Sequence, residues 1–153
     1  MTSSKIEQKI AEIEQRSPIK LEGFWSSAKF DLQCLCAHEL DEVEAVVGHR
    51  NGGRMGSSLY CVNRRGELVY KCWPLSSPLR KIELNPLKDN LIQPVMGAGF
   101  FGGITVLGTR GDLEYTLLMA GLGAASGALA SIAGYFKDRE IKRTYERYVQ
   151  QRE

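Results

Sequence analysis

Four cysteines are the residues of this sequence that could bind a metal ion. Cys34 and Cys36 form a CxC pair, whereas Cys61 and Cys72 each stand alone. Structural zinc sites use closely spaced ligand pairs such as CxxC. The spacing here fits that pattern poorly, so the four cysteines are weak metal candidates and are expected to be free thiols in a reducing compartment. The sequence predicts no metal and no cofactor.

The two histidines are the next candidates for chemistry. His38 and His49 stand on either side of an acidic segment that includes Glu39 and Asp41. A catalytic acid or base needs a positioned nucleophile or orienting group beside it, and no motif here supplies one. Carboxylates at the start of a helix are explained by the helix dipole. The sequence therefore predicts no catalytic residue and a protein that is not an enzyme.

A glycine-rich basic segment, HRNGGRMG at 49–56, is a candidate anion site. Arg50 and Arg54, with the backbone N–H groups of Gly52 and Gly53, could hold a phosphate or a lipid headgroup. The segment has neither the Walker A pattern nor the dinucleotide-binding fingerprint, so an ordinary loop is the competing interpretation. A net charge of +2 on the whole chain does not predict nucleic-acid binding.

These residues fall within 18–75, which the hydrophobic pattern predicts to be a small α+β domain of β-β-α-β-β order. Its predicted elements are strands 19–25 and 29–36, a helix over 38–47, and strands 58–62 and 67–73. The second strand rests on a period-two alternation at Phe30, Leu32 and Cys34. The last two strands are joined by Asn63-Arg64-Arg65-Gly66, which suits a type I turn with glycine in the left-handed conformation.

An amphipathic helix is predicted before this domain and an extended linker after it. Ile6, Ile10 and Ile13 fall on one face of a helix within 1–17, where they would pack on their own domain, on a partner or on a membrane surface. Three prolines favour an extended path into a linker over 76–90.

Two apolar stretches without any ionisable side chain, 91–109 and 115–136, define the class of the protein. A bilayer-spanning helix needs about 20 mostly apolar residues. Because a helix that is apolar all round must be buried in a large core or in lipid, and this chain is too short to wrap two such helices, we expect a transmembrane helical hairpin over 91–136. The competing interpretation is a soluble oligomer that buries the hairpin. The absence of intramembrane charges argues against a transporter.

Small residues at helical spacing are predicted to carry the packing of this hairpin. Gly99 and Gly103 form a GxxxG pair, and Gly123, Gly127 and Ser131 follow at four-residue spacing. Small residues allow helix backbones to approach closely in lipid. Since the second stretch has few side chains that strongly favour insertion, it is expected to pack against its own partner helix, another protein or another copy.

The segment 137–153 is predicted to be a basic amphipathic helix. Its cations near the membrane boundary are Lys137, Arg139, Lys142, Arg143 and Arg147. Basic residues favour the cytoplasmic side, so both termini are expected in the cytoplasm, or in the matrix of an organelle whose inner membrane holds the protein. No signal or transit peptide is predicted from 1–17.

The fold class expected is thus a membrane α+β protein: a small sheet domain, a transmembrane hairpin and an amphipathic C-terminal helix. The expected function is that of an accessory or assembly subunit, with other membrane proteins and the lipid bilayer as partners. The alternatives are a self-associating, pore-forming effector, which would be a homo-oligomer, and a membrane-tethered ligand-binding or enzymatic module.

Overall fold

The structure is a computed structural model that describes residues 3–22, 28–53, 56–73, 78–91, 93–108 and 113–152. It contains a small antiparallel sheet of four strands, several short helices and one long apolar C-terminal helix. The helices are α1 (Ser3–Arg16), α2 (Ala28–Gln33), α3 (Ala37–Glu42), α4 (Pro86–Leu91), α5 (Gln93–Gly108) and α6 (Leu113–Gln150). The strands are β1 (Val43–Gly53), β2 (Gly56–Asn63), β3 (Leu68–Cys72) and β4 (Arg80–Lys81), which lie in that order.

The chain divides into two compact units, one of residues 1–83 and 140–153 and one of residues 84–139. The first unit therefore contains the sheet together with the last turns of α6, although these are far apart in sequence. The second contains α4, α5 and the apolar part of α6.

The core of the first unit lies between the sheet and helices α1 to α3. Ile10 and Ile13 of α1 and Leu32 of α2 are buried together with Val46 of β1 and Leu59 of β2. The N-terminal isoleucine face is thus used inside its own unit. Burial of these aliphatic side chains, each contributing about 1.5–3 kcal/mol, is the main stabilising term.

Strand β1 lies at an edge of the sheet, and the hydroxyl of Ser17 is hydrogen-bonded to one backbone N–H of this strand. Ser17, just after α1, donates a hydrogen bond to the Ile13 carbonyl at 2.6 Å and accepts one from the Val46 N–H at 2.9 Å. An unpaired edge N–H invites pairing with another chain. Ser17 therefore caps the end of α1 and also satisfies the backbone N–H of Val46 at the edge of the sheet.

The opposite face of the sheet receives the end of α6. A methyl group added to Gly48 of β1 would lie 2.5 Å from Ile141 Cγ1, so only glycine permits this approach. The Tyr145 hydroxyl donates a hydrogen bond to the Gly66 carbonyl at 2.9 Å, and Arg152 forms an ion pair with Glu44 at 2.9 Å. The sheet of the first unit is covered on both faces.

The turn between β2 and β3 confirms the sequence prediction. Gly66 has φ of 79°, in the left-handed region, and its N–H donates to the Asn63 carbonyl at 2.9 Å. The Asn63 side-chain oxygen also accepts hydrogen bonds from the N–H groups of Arg65 and Glu67. This chemistry is local, which is why the sequence reveals it.

The predicted β-β-α-β-β order is wrong in its first half. Residues 28–33 form helix α2, because Ala28, Asp31, Leu32 and Leu35 are buried at helical spacing, whereas Phe30, which a core-facing strand would bury, is 63% exposed. The predicted strand 19–25 has no strand in its described part, 19–22.

The predicted helix over 38–47 is also wrong in part. It ends at Glu42, and the chain continues as strand β1. Val43, Ala45, Val46 and Val47 are all buried, so the strand is covered on both faces. A strand of this kind is a continuous apolar run of β-branched residues, which periodicity alone does not distinguish from a buried helix.

Candidate functional site: the apolar surface of α5 and α6

The second unit exposes large apolar side chains around its helices. On α5 they include Val95, Phe100, Phe101, Ile104 and Val106, and on α6 they include Leu113, Leu117, Leu118, Leu122, Leu129, Ile132 and Phe136. Monomeric soluble proteins rarely expose a contiguous apolar patch of more than a few hundred Å². This surface therefore needs to be covered by lipid or by protein.

Helix α6 is long and apolar enough to cross a membrane. It has 38 residues, and only 17% of its most apolar 18-residue window is buried. A core helix of a soluble protein would be mostly buried. Helix α5 has 16 residues, or about 24 Å at 1.5 Å per residue, which is somewhat less than the roughly 30 Å of a bilayer core.

Small residues form the buried face of this unit. Gly123 and Gly127 of α6, two of the predicted packing residues, are buried, and so is Gly134, which lies two turns after Gly127 on the same face. On α5, Gly102 and Thr105 are buried among the residues whose burial the structure describes, and a methyl group added to Gly102 would lie 3.2 Å from Ala120 Cβ. The backbones of α5 and α6 thus approach closely at Gly102.

The predicted GxxxG pair lies elsewhere on α5. Gly99 and Gly103 are exposed, and apart from the neighbouring backbone of α5 itself, no described atom would lie within 4 Å of a methyl group on either. Their role in packing against another helix stays a prediction. The five glycines of this helix place small residues on more than one face, so spacing alone could not single out Gly102.

Hydroxyl groups in the apolar helices are satisfied by backbone carbonyls. Thr105 donates to Phe101 at 2.7 Å and Ser126 donates to Gly123 at 3.0 Å, each within its own helix. Ser131 differs, because it donates to the carbonyl of Asn90 in α4. Ser131 thus connects α6 to the last turn of α4 by a hydrogen bond between a side chain and the main chain.

A buried polar cluster joins α4 to α6 next to Ser131. The Asn90 side-chain amide donates to Asp138 at 2.7 Å and to the Pro86 carbonyl at 2.9 Å. Asp138 is 1% exposed. Sequence reasoning misses both residues and treats 137–153 as a basic amphipathic helix. Helical spacing could have predicted the burial of Asp138, because it lies one turn after Gly134 on the same face of α6 as Gly127 and Ser131.

An apolar groove of about 420 Å³ lies between α4, the start of α5 and α6. Its walls are formed by Pro86, Leu87, Pro94, Ala128, Ile132, Tyr135 and Phe136, and Asn90 and Ser131 also line it. The polar groups of Asn90 and Ser131 already have partners within the second unit. An apolar occupant would therefore leave these two hydrogen bonds intact.

The cysteines are not brought together. Cys34 and Cys36 are exposed near α2 and α3, Cys72 is half-buried in β3, and Cys61 is buried in β2. Burial raises the pKa of the Cys61 thiol, which makes it a poor ligand and nucleophile. Among the residues that the structure describes, no group of three or more potential ligands is placed to hold a metal ion.

The candidate anion segment is part of a β-hairpin. Arg50, Gly52 and Gly53 belong to β1, where Arg50 is opposite Ser58 and Gly53 is opposite Gly56. Arg54 lies outside the described residues. Anion binding by this segment stays a prediction, although it is a strand end and not the free loop expected from sequence.

Two polar pairs, one buried and one half-buried, stabilise the sheet unit. His49 Nε2 lies 2.8 Å from Asp31 Oδ2, and the Lys71 ammonium donates to both carboxylate oxygens of Glu39 at 2.5 and 2.6 Å. Burial acts to raise the pKa of Glu39, but hydrogen bonds from Lys71 and the Cys36 N–H lower it overall. These pairs connect α2 to β1 and α3 to β3.

Comparison with known proteins gives no relative for this arrangement: no protein-family model, no curated protein and no solved structure matches the chain.

Proposed function

We propose that this chain is an integral membrane accessory or assembly subunit that inserts residues 91–136 as a helical hairpin and packs into a larger membrane complex. The observation that carries the proposal is the exposed apolar surface of α5 and α6, combined with the small number of charges on it. Within 91–136 the acidic and basic side chains are Arg110, Asp112 and Glu114, which all fall between the two apolar stretches.

The path of the chain supports a hairpin in preference to a single crossing. Residues before and after the apolar helices belong to one compact unit, in which Ile141 packs on Gly48 and Tyr145 bonds to Gly66. Both flanks must then lie on the same side of the membrane, which requires an even number of crossings. The basic residues that follow Phe136 favour the cytoplasmic or matrix side.

A weak preference for lipid supports packing into a complex. The apolar part of α6 is rich in Ala, Gly and Ser, which contribute little to insertion compared with the roughly 0.3–0.6 kcal/mol of a central Leu, Ile, Phe or Val. Gly123 and Gly127 are already buried within the chain, whereas Gly99 and Gly103 are exposed on α5. We assign docking onto a partner helix to this exposed pair.

Membrane insertion and assembly are tested together by blue-native electrophoresis of carbonate-washed, gently solubilised membranes. We expect a carbonate-resistant band far above 17.0 kDa that contains other proteins. A ladder of multiples of the chain itself would instead favour the pore-forming alternative. Loss of the chain into the wash would refute membrane insertion.

Paired leucine substitutions separate packing inside the chain from packing onto a partner. Gly99→Leu with Gly103→Leu should release the chain from the large band and leave it in the membrane. Gly123→Leu with Gly127→Leu should disrupt the α5–α6 contact itself and lower the stability of the isolated chain. The control is Ala130→Leu with Ala133→Leu on the exposed side of α6, which should change neither property. Survival of the large band in the Gly99 and Gly103 variant would refute this docking surface.

A further inference from the structure

The groove beside α4 has the lining of a hydrocarbon site. Pro86, Leu87 and Pro94 on one side and Ile132, Tyr135 and Phe136 on the other give it an almost wholly apolar wall. Its volume of about 420 Å³ lies within the range usual for small-molecule sites. Ile132 and Phe136 are more than half exposed, so the groove is open along its side.

A cation follows the groove residues of α6 by one helical turn. Arg139 is exposed and follows Tyr135 by four residues and Phe136 by three, which places it on the same face of α6. Lys137 is about 160° away around the helix, since successive residues are separated by about 100°. Two carboxylates near the groove are already engaged: Asp138 is buried and bonded to Asn90, and Asp89 accepts a hydrogen bond from the Asn85 N–H.

We propose that this groove binds one acyl chain of an anionic phospholipid, whose phosphate contacts Arg139. The inference rests on the proposed membrane insertion, which places Phe136 at the end of the apolar span and Arg139 among the headgroups. Charge and apolar lining are adjacent in the order that a phospholipid presents them, with the tail toward the bilayer centre and the phosphate at its boundary. A partner helix would fill the groove without using Arg139.

The test compares dioleoyl-phosphatidylglycerol with dioleoyl-phosphatidylcholine, which have the same chains and different headgroups. Each is added to the delipidated full chain in detergent, and the bound lipid is measured by native mass spectrometry. We expect preferential retention of phosphatidylglycerol. Arg139→Ala should reduce that preference about fivefold, the factor that corresponds to about 1 kcal/mol per basic residue at an anionic surface.

Two matched controls define the site. Lys137→Ala removes the same charge from the other side of α6 and should leave the preference unchanged. Ala128→Phe fills the groove and should lower retention of both lipids, whereas Ala130→Phe on the exposed side should not. Because Arg139 is exposed, the charge variants test the proposal even where Ala128→Phe fails to fold.

Three results would overturn the proposal: equal retention of the two lipids, equal effects of Arg139→Ala and Lys137→Ala, or loss of a co-purifying protein from the groove variant with lipid retention intact. Carbonate extraction of the same variants distinguishes failure of the lipid-site proposal from failure of the proposed membrane insertion. A chain that resists the wash and binds no lipid refutes only the lipid site, and a chain that is washed off refutes membrane insertion.

Discussion

Replacing Gly48 with alanine should weaken the contact that closes the first unit between the sheet and the end of α6. The added methyl carbon would lie 2.5 Å from Ile141 Cγ1 and 3.0 Å from both Cδ1 and Cγ2. Ordinary contacts between carbon atoms are about 3.5–4.0 Å, so one partner must move by about 1 Å. Ile141 is 2% exposed, so it cannot move out into solvent without loss of its packing. Overpacking of this kind costs about 1–3 kcal/mol.

The assay is denaturant unfolding of the full chain in detergent micelles, followed by intrinsic tryptophan fluorescence. Gly48→Ala should lower the free energy of unfolding by about 1–3 kcal/mol. Ile141→Ala alone should lower it by about 2–5 kcal/mol, because it leaves a cavity. The double variant should be more stable than the sum of the two losses implies, since the smaller side chain makes room for the new methyl group.

Gly66→Ala is the control, because a methyl group added to Gly66 does not clash with Ile141. Gly66 has φ of 79° and open space where the methyl group of alanine would lie, so alanine there is strained by its backbone, at about 1–2 kcal/mol. Its effect should add to that of Ile141→Ala within about 0.5 kcal/mol. If the effect of Gly48→Ala adds to that of Ile141→Ala as fully as the effect of Gly66→Ala does, the steric reasoning for Gly48 is refuted.

Two further outcomes follow from the first unit. Cys34 and Cys36 are exposed, whereas Cys61 is buried and the pKa of its thiol is raised. A maleimide at neutral pH should therefore label Cys34 and Cys36 in the folded chain and Cys61 only after denaturation. Rapid labelling of Cys61 in the folded chain, detected by mass spectrometry, would contradict its burial. The pKa of Glu39 is lower in the folded chain than in the unfolded chain. Its pair with Lys71 therefore stabilises the fold fully at pH values above the unfolded glutamate pKa of about 4.3. This contribution is lost as the pH falls through the lower pKa of the folded state. Glu39→Gln should therefore flatten the decline of stability below about pH 4.3, and an unchanged slope in acid unfolding would argue against the pair.

Local chemistry can be read from the sequence, and long-range pairing cannot. The Asn63 to Gly66 turn and the isoleucine face of α1 depend on neighbours within a few residues, and both are as predicted. Strand β1 depends on α1 packing on one face and α6 on the other. Its buried valines match a helical pattern equally well until those partners are known.

The N-terminal half of the sheet unit escapes sequence-based prediction for a related reason. In residues 28–35 a period of two and a helical period select overlapping sets of residues, and Leu32 belongs to both. The deciding residue is Asp31, a buried partner of His49. A carboxylate carries no hydrophobic signal, so the pattern favours Phe30, which is exposed, over the residue that is inside.

Hydropathy finds an apolar helix but does not say how often the chain crosses a bilayer. Helix α6 is long and apolar enough to cross a membrane, whereas α5, at about 24 Å, is short for a span. The first unit supplies the constraint that hydropathy lacks: Gly48 and Ile141 come from opposite sides of the apolar segment and touch. If α6 crosses the membrane, the chain must cross once more between Leu84 and Leu113. Of the two helices described in that segment, α5 has 16 residues and α4 only six, so α5 is the candidate for the crossing. Its short length then requires local thinning of the bilayer or a partner that covers its ends, which is a second reason to expect this chain within a complex.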